Sequence, residues 1–291
     1  MPANVTSKAT SDAVTLGWEP VADTDVAGYQ VFRSASTPVA TTGTPFSGET
    51  PLTDPALTDD DVLVGNGYSY VVRAVDQAGN ASAATAPTTL SVPAPAGEVV
   101  AKVNFQKAGT PVPSGYTADV GAAFDAATGR GWVAADSTPL DLTKNVRTRG
   151  RAGIDPRLDS FVHMQYGDID NGTANPDNGN LTQGAYELDV PNGTYSVLAT
   201  VGDQSGAKGY DSKHTIRAEG KPVVTGFQAS AAREYEQAGA TVQVSDGTLT
   251  IDSVGGNNTK LDYLEVRAVQ VADETAPAAP KDVTAQSVTT G

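Results

Sequence analysis

Thr248-Leu249-Thr250-Ile251 follows directly on Ser245-Asp246-Gly247, and Ala13-Val14-Thr15-Leu16-Gly17-Trp18 repeats the same pattern near the other end of the chain. Apolar and polar residues alternate in both, and a Gly-containing turn precedes the first. That is the period of a strand with one face buried. Working outward, the apolar residues come in similar short runs broken by Gly, Pro, Asn and Asp, and no 12-residue stretch carries helical spacing. The 30 Gly and 18 Pro among 291 residues fit a chain of many turns. The sequence therefore predicts an all-β protein. The length suits two domains and part of a third.

Composition narrows the chemistry. With 19 Lys+Arg against 34 Asp+Glu the net charge is −15, which disfavours a nucleic-acid partner. No run of 18 apolar residues occurs, so no membrane-inserted helix is expected. The absence of cysteine removes disulfides, zinc ribbons and thiol nucleophiles, and two His leave little for transition metals. Acidic, cysteine-free modules rich in Thr, Ala and Gly are common in secreted bacterial proteins, so a secreted or cell-surface location is expected. Met1-Pro2-Ala3-Asn4 has neither the basic nor the apolar region of a secretory leader. A monomer is expected.

Two Pro/Ala-rich segments divide the chain. Pro93-Ala94-Pro95-Ala96-Gly97 favours an extended, semi-rigid spacer, and Asp273 to Pro280 forms a second such stretch. After it, Pro280 and Val283-Thr284 repeat the spacing of Pro2 and Val5-Thr6. The expected domains are 1–94, 98–271, and 272–291 as linker and start of a truncated copy of the first.

In the first unit, strand-like runs lie near 13–18, 28–34, 68–75 and 81–92, and a seven-strand sandwich is expected. Trp18-Glu19-Pro20, Asp25-Val26-Ala27-Gly28-Tyr29, and Tyr68-Ser69-Tyr70 running to Asp76-Gln77-Ala78-Gly79-Asn80 resemble a fibronectin type III domain over its full length. Tyr68, after the Asn66-Gly67 turn, is placed for a tyrosine corner, and Trp18, Tyr29, Tyr68 and Tyr70 read as core residues. The resemblance implies a spacer, and no site is assigned there.

In the second unit nine strands are expected, from Val99–Phe105 to Leu261–Val269, with hairpin turns at Pro191-Asn192-Gly193 and Ser245-Asp246-Gly247. Residues 106–160 carry few strand signals; a segment that long is a functional loop or a structured excursion. Val103-Asn104-Phe105, Gly115-Tyr116-Thr117-Ala118-Asp119, Gly129-Arg130-Gly131-Trp132, Leu158 to Gln165, Val190 to Tyr195, Val201-Gly202-Asp203 and Leu261-Asp262-Tyr263-Leu264-Glu265-Val266 resemble malectin-like and related galactose-binding-type jelly rolls of secreted carbohydrate-active enzymes. The fold expected is thus a fibronectin type III sandwich plus a larger jelly-roll β-sandwich. The resemblance implies a non-catalytic carbohydrate-binding module that targets a larger enzyme to a polysaccharide or oligosaccharide. Gly202-Asp203 stands where malectin has aromatic residues, and Asn257 stands roughly where it has an Asp.

A sugar needs an exposed aromatic face and fixed polar groups. Tyr116, Phe124, Trp132, Tyr166 and Tyr210 lie in Gly-flanked stretches. Trp132 either stacks on sugar or plugs the core beneath the long segment; Tyr116 and Tyr210 divide evenly between core and surface. Arg147, Arg149 and Arg151 form a basic cluster. Its guanidinium forks either meet an acidic sugar such as a uronate or pair with Asp141, Asp155 or Asp159. The ligand-binding candidates are Tyr116, Trp132, Arg149, Asp203, Tyr210 and Asn257. Asp168, Asp170 and Asp177, with Asn171-Gly172, resemble half a calcium loop, so a structural calcium is one reading and a solvated turn the other. No nucleophile elbow, zinc-protease motif or phosphate loop occurs, and His163 and His214 read as core residues. No enzymatic activity is expected. The alternative to sugar binding is a structural or protein-interaction spacer.

Overall fold

The computed structural model describes residues 1–167, 178–205 and 209–269. Among these there are strands and two short 3-10 turns, and no α-helix. The truncated repeat and the residues proposed for calcium, Asp168, Asp170 and Asp177, lie outside the described residues.

The first sandwich holds β1 (Ala3–Ala9), β2 (Val14–Glu19), β3 (Val26–Ser34), β4 (Ala56–Asp59), β5 (Gly67–Asp76) and β6 (Thr88–Ser91). Its two sheets run β1-β2-β4 and β3-β5-β6. The seventh strand of the expected pattern is reduced to one bridge, Tyr29 to Leu52. Alternation decides what is buried. Val14, Leu16 and Trp18 point inward from β2, Tyr29 and Val31 from β3, Tyr70, Val72 and Ala74 from β5. Trp18 and Tyr29 meet edge to face at 5.4 Å. The Leu63 N–H donates to the Tyr68 hydroxyl at 3.0 Å, which closes the tyrosine corner.

The second sandwich holds β7 (Glu98–Phe105), β8 (Thr117–Asp119), β9 (Arg130–Ala134), β10 (Val146–Thr148), β11 (Ser160–His163), β12 (Gly184–Asp189), β13 (Gly193–Gly202), β14 (His214–Ala218), β15 (Lys221–Phe227), β16 (Tyr235–Val244), β17 (Thr248–Asp252) and β18 (Lys260–Ala268). A five-stranded sheet, β15-β14-β17-β12-β9, faces a seven-stranded sheet in which β13 lies between β16 and β18. The other edge of β18 is shared: Lys260 and Leu261 pair with β11, and residues from Tyr263 onward pair with β7. Asp262, at the changeover, pairs with neither neighbour and bulges the strand. Residues 106–160 are a structured excursion, giving β8 and β10 to one sheet and β9 to the other.

Trp132 plugs the core; as a sugar platform it is corrected. Its ring is fully buried, within 5.6 Å of Phe105 and 5.4 Å of Tyr186 between ring centres. Its indole N–H donates to the buried Asp119 carboxylate at 3.0 Å, so the polar end of the ring is satisfied inside.

The sandwiches touch directly. On β13, Leu198 turns away from its own core and joins that of the first sandwich. The Val64 N–H donates to Gln237 Oε1 at 2.8 Å, and Gln237 Nε2 donates to Thr200 Oγ1 at 3.0 Å and to the Tyr263 hydroxyl. Arg157 donates to the Val64 carbonyl at 2.7 Å and to Asn66 Oδ1 at 3.0 Å. The part of the seven-stranded sheet around Leu198, Thr200, Gln237 and Tyr263 is therefore covered on both faces. On β18 this contact buries Tyr263, while Lys260 is covered by Asp203 and Phe161 and Glu265 by Tyr116 and Lys102, so Lys260-Leu261-Asp262-Tyr263-Leu264-Glu265-Val266 is buried throughout.

Two variants test this packing. Trp132→Ala should lower stability by about 3–5 kcal/mol, the cost of emptying a large core site. Gln237→Leu keeps the bulk but strands the buried Val64 N–H, at a cost of about 1–3 kcal/mol. Urea unfolding monitored by fluorescence measures both.

Candidate functional site

Four of the six sugar-binding candidates gather at one edge of the second sandwich, where β13 ends and β14, β16 and β18 begin. The approach depends on Gly202. Its φ is 145°, and a Cβ there would lie 2.3 Å from the Glu234 carbonyl oxygen, so only glycine lets the chains come this close. Asp203 follows, 2% exposed.

A buried carboxylate needs partners, and Asp203 has two. Arg149 Nε donates to its Oδ1 at 3.0 Å and Arg149 Nη2 to its Oδ2; Lys260 Nζ donates to Oδ2 at 3.0 Å. Both cations lie over the Phe161 ring, at 5.1 and 5.6 Å. The Arg149 fork is thus filled by a carboxylate, as one of the two expected readings had it, but by Asp203 rather than Asp141, Asp155 or Asp159. Asp159 instead accepts the backbone N–H groups of Gly150 and Arg151.

Toward solvent, Arg151 donates to Glu234 Oε2 at 2.9 Å and to the Tyr235 hydroxyl at 3.1 Å. The Tyr210 hydroxyl donates to Glu234 Oε1 at 3.3 Å, and Gln228 donates to the Tyr210 carbonyl at 2.9 Å. Tyr210 is half-buried, its ring at the rim. Asn257 is exposed and joins the edge through paired backbone hydrogen bonds with Lys213, beside His214. The space behind Tyr210 is only about 10 Å³, so a ligand can lie across this edge but not enter it. Tyr116 lies elsewhere, on the face toward the first sandwich, with its hydroxyl on Glu265.

Lys260, His214 and Asp262 were missed as members of this edge, because each sits in a strand whose pattern reads as ordinary core or surface. Burial pushes His214 down to about 3, with Lys260 adding to the effect. The neutral ring accepts the Lys260 N–H at Nδ1, 3.1 Å away. Burial also holds His163 well below its usual range. Asp262 is fully buried with no hydrogen bond to either carboxylate oxygen; burial, then the Asp203 charge, raises it well above the carboxylate range. Among the described residues no group of three or more His, Asp or Glu side chains is arranged to hold a metal ion. No helix there is long and apolar enough to cross a membrane.

No family model matches the chain. It is similar to Exoglucanase B of Cellulomonas fimi, 36% identical over 87 residues, covering 28% of this chain and 7% of that protein. Endoglucanase B of Cellulomonas fimi is 38% identical over 111 residues, covering 38% and 10%. Chitinase A1 of Niallia circulans is 33% identical over 99 residues, covering 33% and 13%. The chain thus spans about an eighth or less of the length of these relatives. Among solved structures, an Fn3-like protein from Clostridium thermocellum shares 25% identity over 33% of this chain and 94% of its own, with a TM-score of 0.25. A CBM35 from Paenibacillus barcinonensis shares 16% over 51% of this chain and all of its own, also at 0.25.

The buried histidines contribute to the acid limb of stability. A His whose native pKa is depressed leaves the unfolded chain binding the extra proton, so stability is full above about pH 6.5 and falls as pH drops toward 3. The raised Asp262 acts in the opposite sense above the ordinary carboxylate range. His214→Asn keeps an acceptor near Nδ1 without the titration. Urea unfolding at a series of pH values should show a shallower fall between pH 5.5 and 4, by up to about 1.4 kcal/mol per pH unit.

Proposed function

We propose that this chain is a non-catalytic carbohydrate-binding module with a spacer, and that the second sandwich takes a polysaccharide across the edge just described. The observation that carries the reading is the convergence of β13, β14, β16 and β18 on one rigid node. Asp203, Arg149 and Lys260 form a buried base, above which the Tyr210 ring, Gln228, the Arg151–Glu234 pair and Asn257 reach the rim. A half-exposed ring with fixed donors and acceptors is what a sugar face and its hydroxyls require. Three relatives named for glucan and chitin match short stretches of this chain, a small part of each, which supports a module attached to an enzyme rather than the catalytic part. The same matches support a secreted or cell-surface setting. Residues 1–94 serve as spacer, 98–271 as the binding unit and 272–291 as the start of a further copy of the first. Arg149 acts as a positioning residue, since its fork is already occupied.

A shallow edge buries little sugar, so the expected dissociation constant is on the order of 0.01–1 mM. Losing the ring in Tyr210→Ala should raise it about 2- to 13-fold, equivalent to roughly 0.5–1.5 kcal/mol. A glycan array followed by calorimetry on wild type and variant tests this. A correctly folded protein that gives no signal with any glycan would favour the spacer reading.

A further inference from the structure

Where the two sandwiches meet they leave an open cleft of about 700 Å³, within the usual range for ligand sites. Val64, Gly65, Asn66 and Ala94 line it from one side, and Lys102, Ser114, Tyr116, Arg157 and Glu265 are among the residues lining the other. It lies on the face opposite the core of the seven-stranded sheet and shares no residue with the rim around Tyr210. We propose that this cleft is a second binding site, built jointly by both sandwiches, for a neutral oligosaccharide. The proposal rests on the carbohydrate reading above but uses a separate site.

Rigidity comes first. A cleft between two bodies opens and closes unless something ties its walls. Here Arg157, at its margin, is anchored to both: to the Val64 carbonyl at 2.7 Å and Asn66 Oδ1 at 3.0 Å on one side, and to Asp155 on the other. Tyr116 is fixed as well. Its hydroxyl donates to Glu265 Oε1 at 2.5 Å, and its ring meets Tyr263 edge-on at 5.6 Å. A half-buried ring locked in place costs a ligand little ordering entropy.

Charge selects the ligand. Lys102 pairs with Glu265 at 3.1 Å, Arg267 with Glu265 at 3.3 Å, and Arg157 with Asp155. Burial alone would raise Glu265, but the hydrogen bonds from Tyr116 and Lys102 hold it below its ordinary value, so it stays ionised and paired. The cations of the cleft are thus spent on its own carboxylates, in a chain of net charge −15. A phosphate or uronate finds no surplus positive charge there. The remaining wall alternates small apolar groups, Val64, Ala94 and Ile154, with the Ser114 hydroxyl and the Asn66 amide. That mixture suits a pyranose, with its C–H faces and rim of hydroxyls, better than a fully apolar guest.

Calorimetry of the full chain with cellohexaose, chitohexaose and a galacturonan hexamer tests the proposal. Ser114 is exposed on the cleft wall, so Ser114→Trp adds bulk to the cleft at a position outside the core, and its far-UV circular dichroism is checked against wild type. Ser114→Trp and Tyr116→Ala should each weaken binding of a neutral hexamer at least fivefold. Asn66→Ala, on the first sandwich, should weaken it at least twofold. The galacturonan should bind several-fold more weakly than the neutral hexamers. If Tyr210→Ala loses binding while Ser114→Trp and Tyr116→Ala bind like wild type, the cleft is overturned and the edge site stands. If Ser114→Trp abolishes a tighter binding of galacturonan, the neutral class is overturned. No heat from wild type with any of the three overturns the cleft, while the edge site is decided separately by the glycan array.

Discussion

A single amide side chain ties the two halves of the molecule together. Gln237 projects from the outer face of the seven-stranded sheet, accepts the Val64 N–H, and donates to Thr200 and Tyr263. All four groups are thereby withdrawn from water with their hydrogen bonds made, the condition under which polar burial is tolerable. Around this point Leu198 finds an apolar partner surface, Arg157 finds its carbonyl, and β18 acquires a second covered face. Both the rim around Tyr210 and the cleft beside Tyr116 belong to a sheet whose position is fixed this way.

Charge inside the second sandwich is handled by concentration. Asp203 shares its carboxylate between Arg149 and Lys260, both resting on Phe161, while His163 and His214 stay neutral close by. Asp262 sits at a bulge with no donor for either oxygen. One carboxylate is thus fully partnered by two cations, and its neighbour is raised well above the carboxylate range by burial and by the first one's charge. Bulges often mark places where a strand re-aims a side chain, and here the bulge is the point at which β18 changes partner from β11 to β7.

Much of the fold was legible because alternation reports directly on a face. Val14, Leu16 and Trp18 were readable as one buried row, as were Leu249 and Ile251. The short strands Thr117–Asp119, Arg130–Ala134 and Val146–Thr148 were not, since three residues carry no period to detect and Gly131-Trp132-Val133 is buried in succession without alternating. The candidate site was only partly legible. Spacing can place Arg149 and Asp203 on loops, but their contact spans 54 residues and depends on a glycine that lets two chains approach. Trp132 shows the opposite limit: a Gly-flanked tryptophan looks loop-like, yet the flanking Gly131 serves close packing against Phe124, and the ring goes inward. Nothing in Lys260-Leu261-Asp262-Tyr263 announces that another sandwich will cover its polar side.

That cover bears on how such a chain can be recombined. A breakpoint in the Pro/Ala segment at 93–97 looks harmless, since the segment is extended and mostly exposed. Separation there would leave Leu198, Tyr263, Gln237 and Thr200 of the larger sandwich facing water, a patch shaped to fit one neighbour. The two sandwiches are therefore expected to travel together between genes, as one inherited unit rather than as interchangeable beads. The neighbour that covers this sheet should be the one encoded immediately upstream.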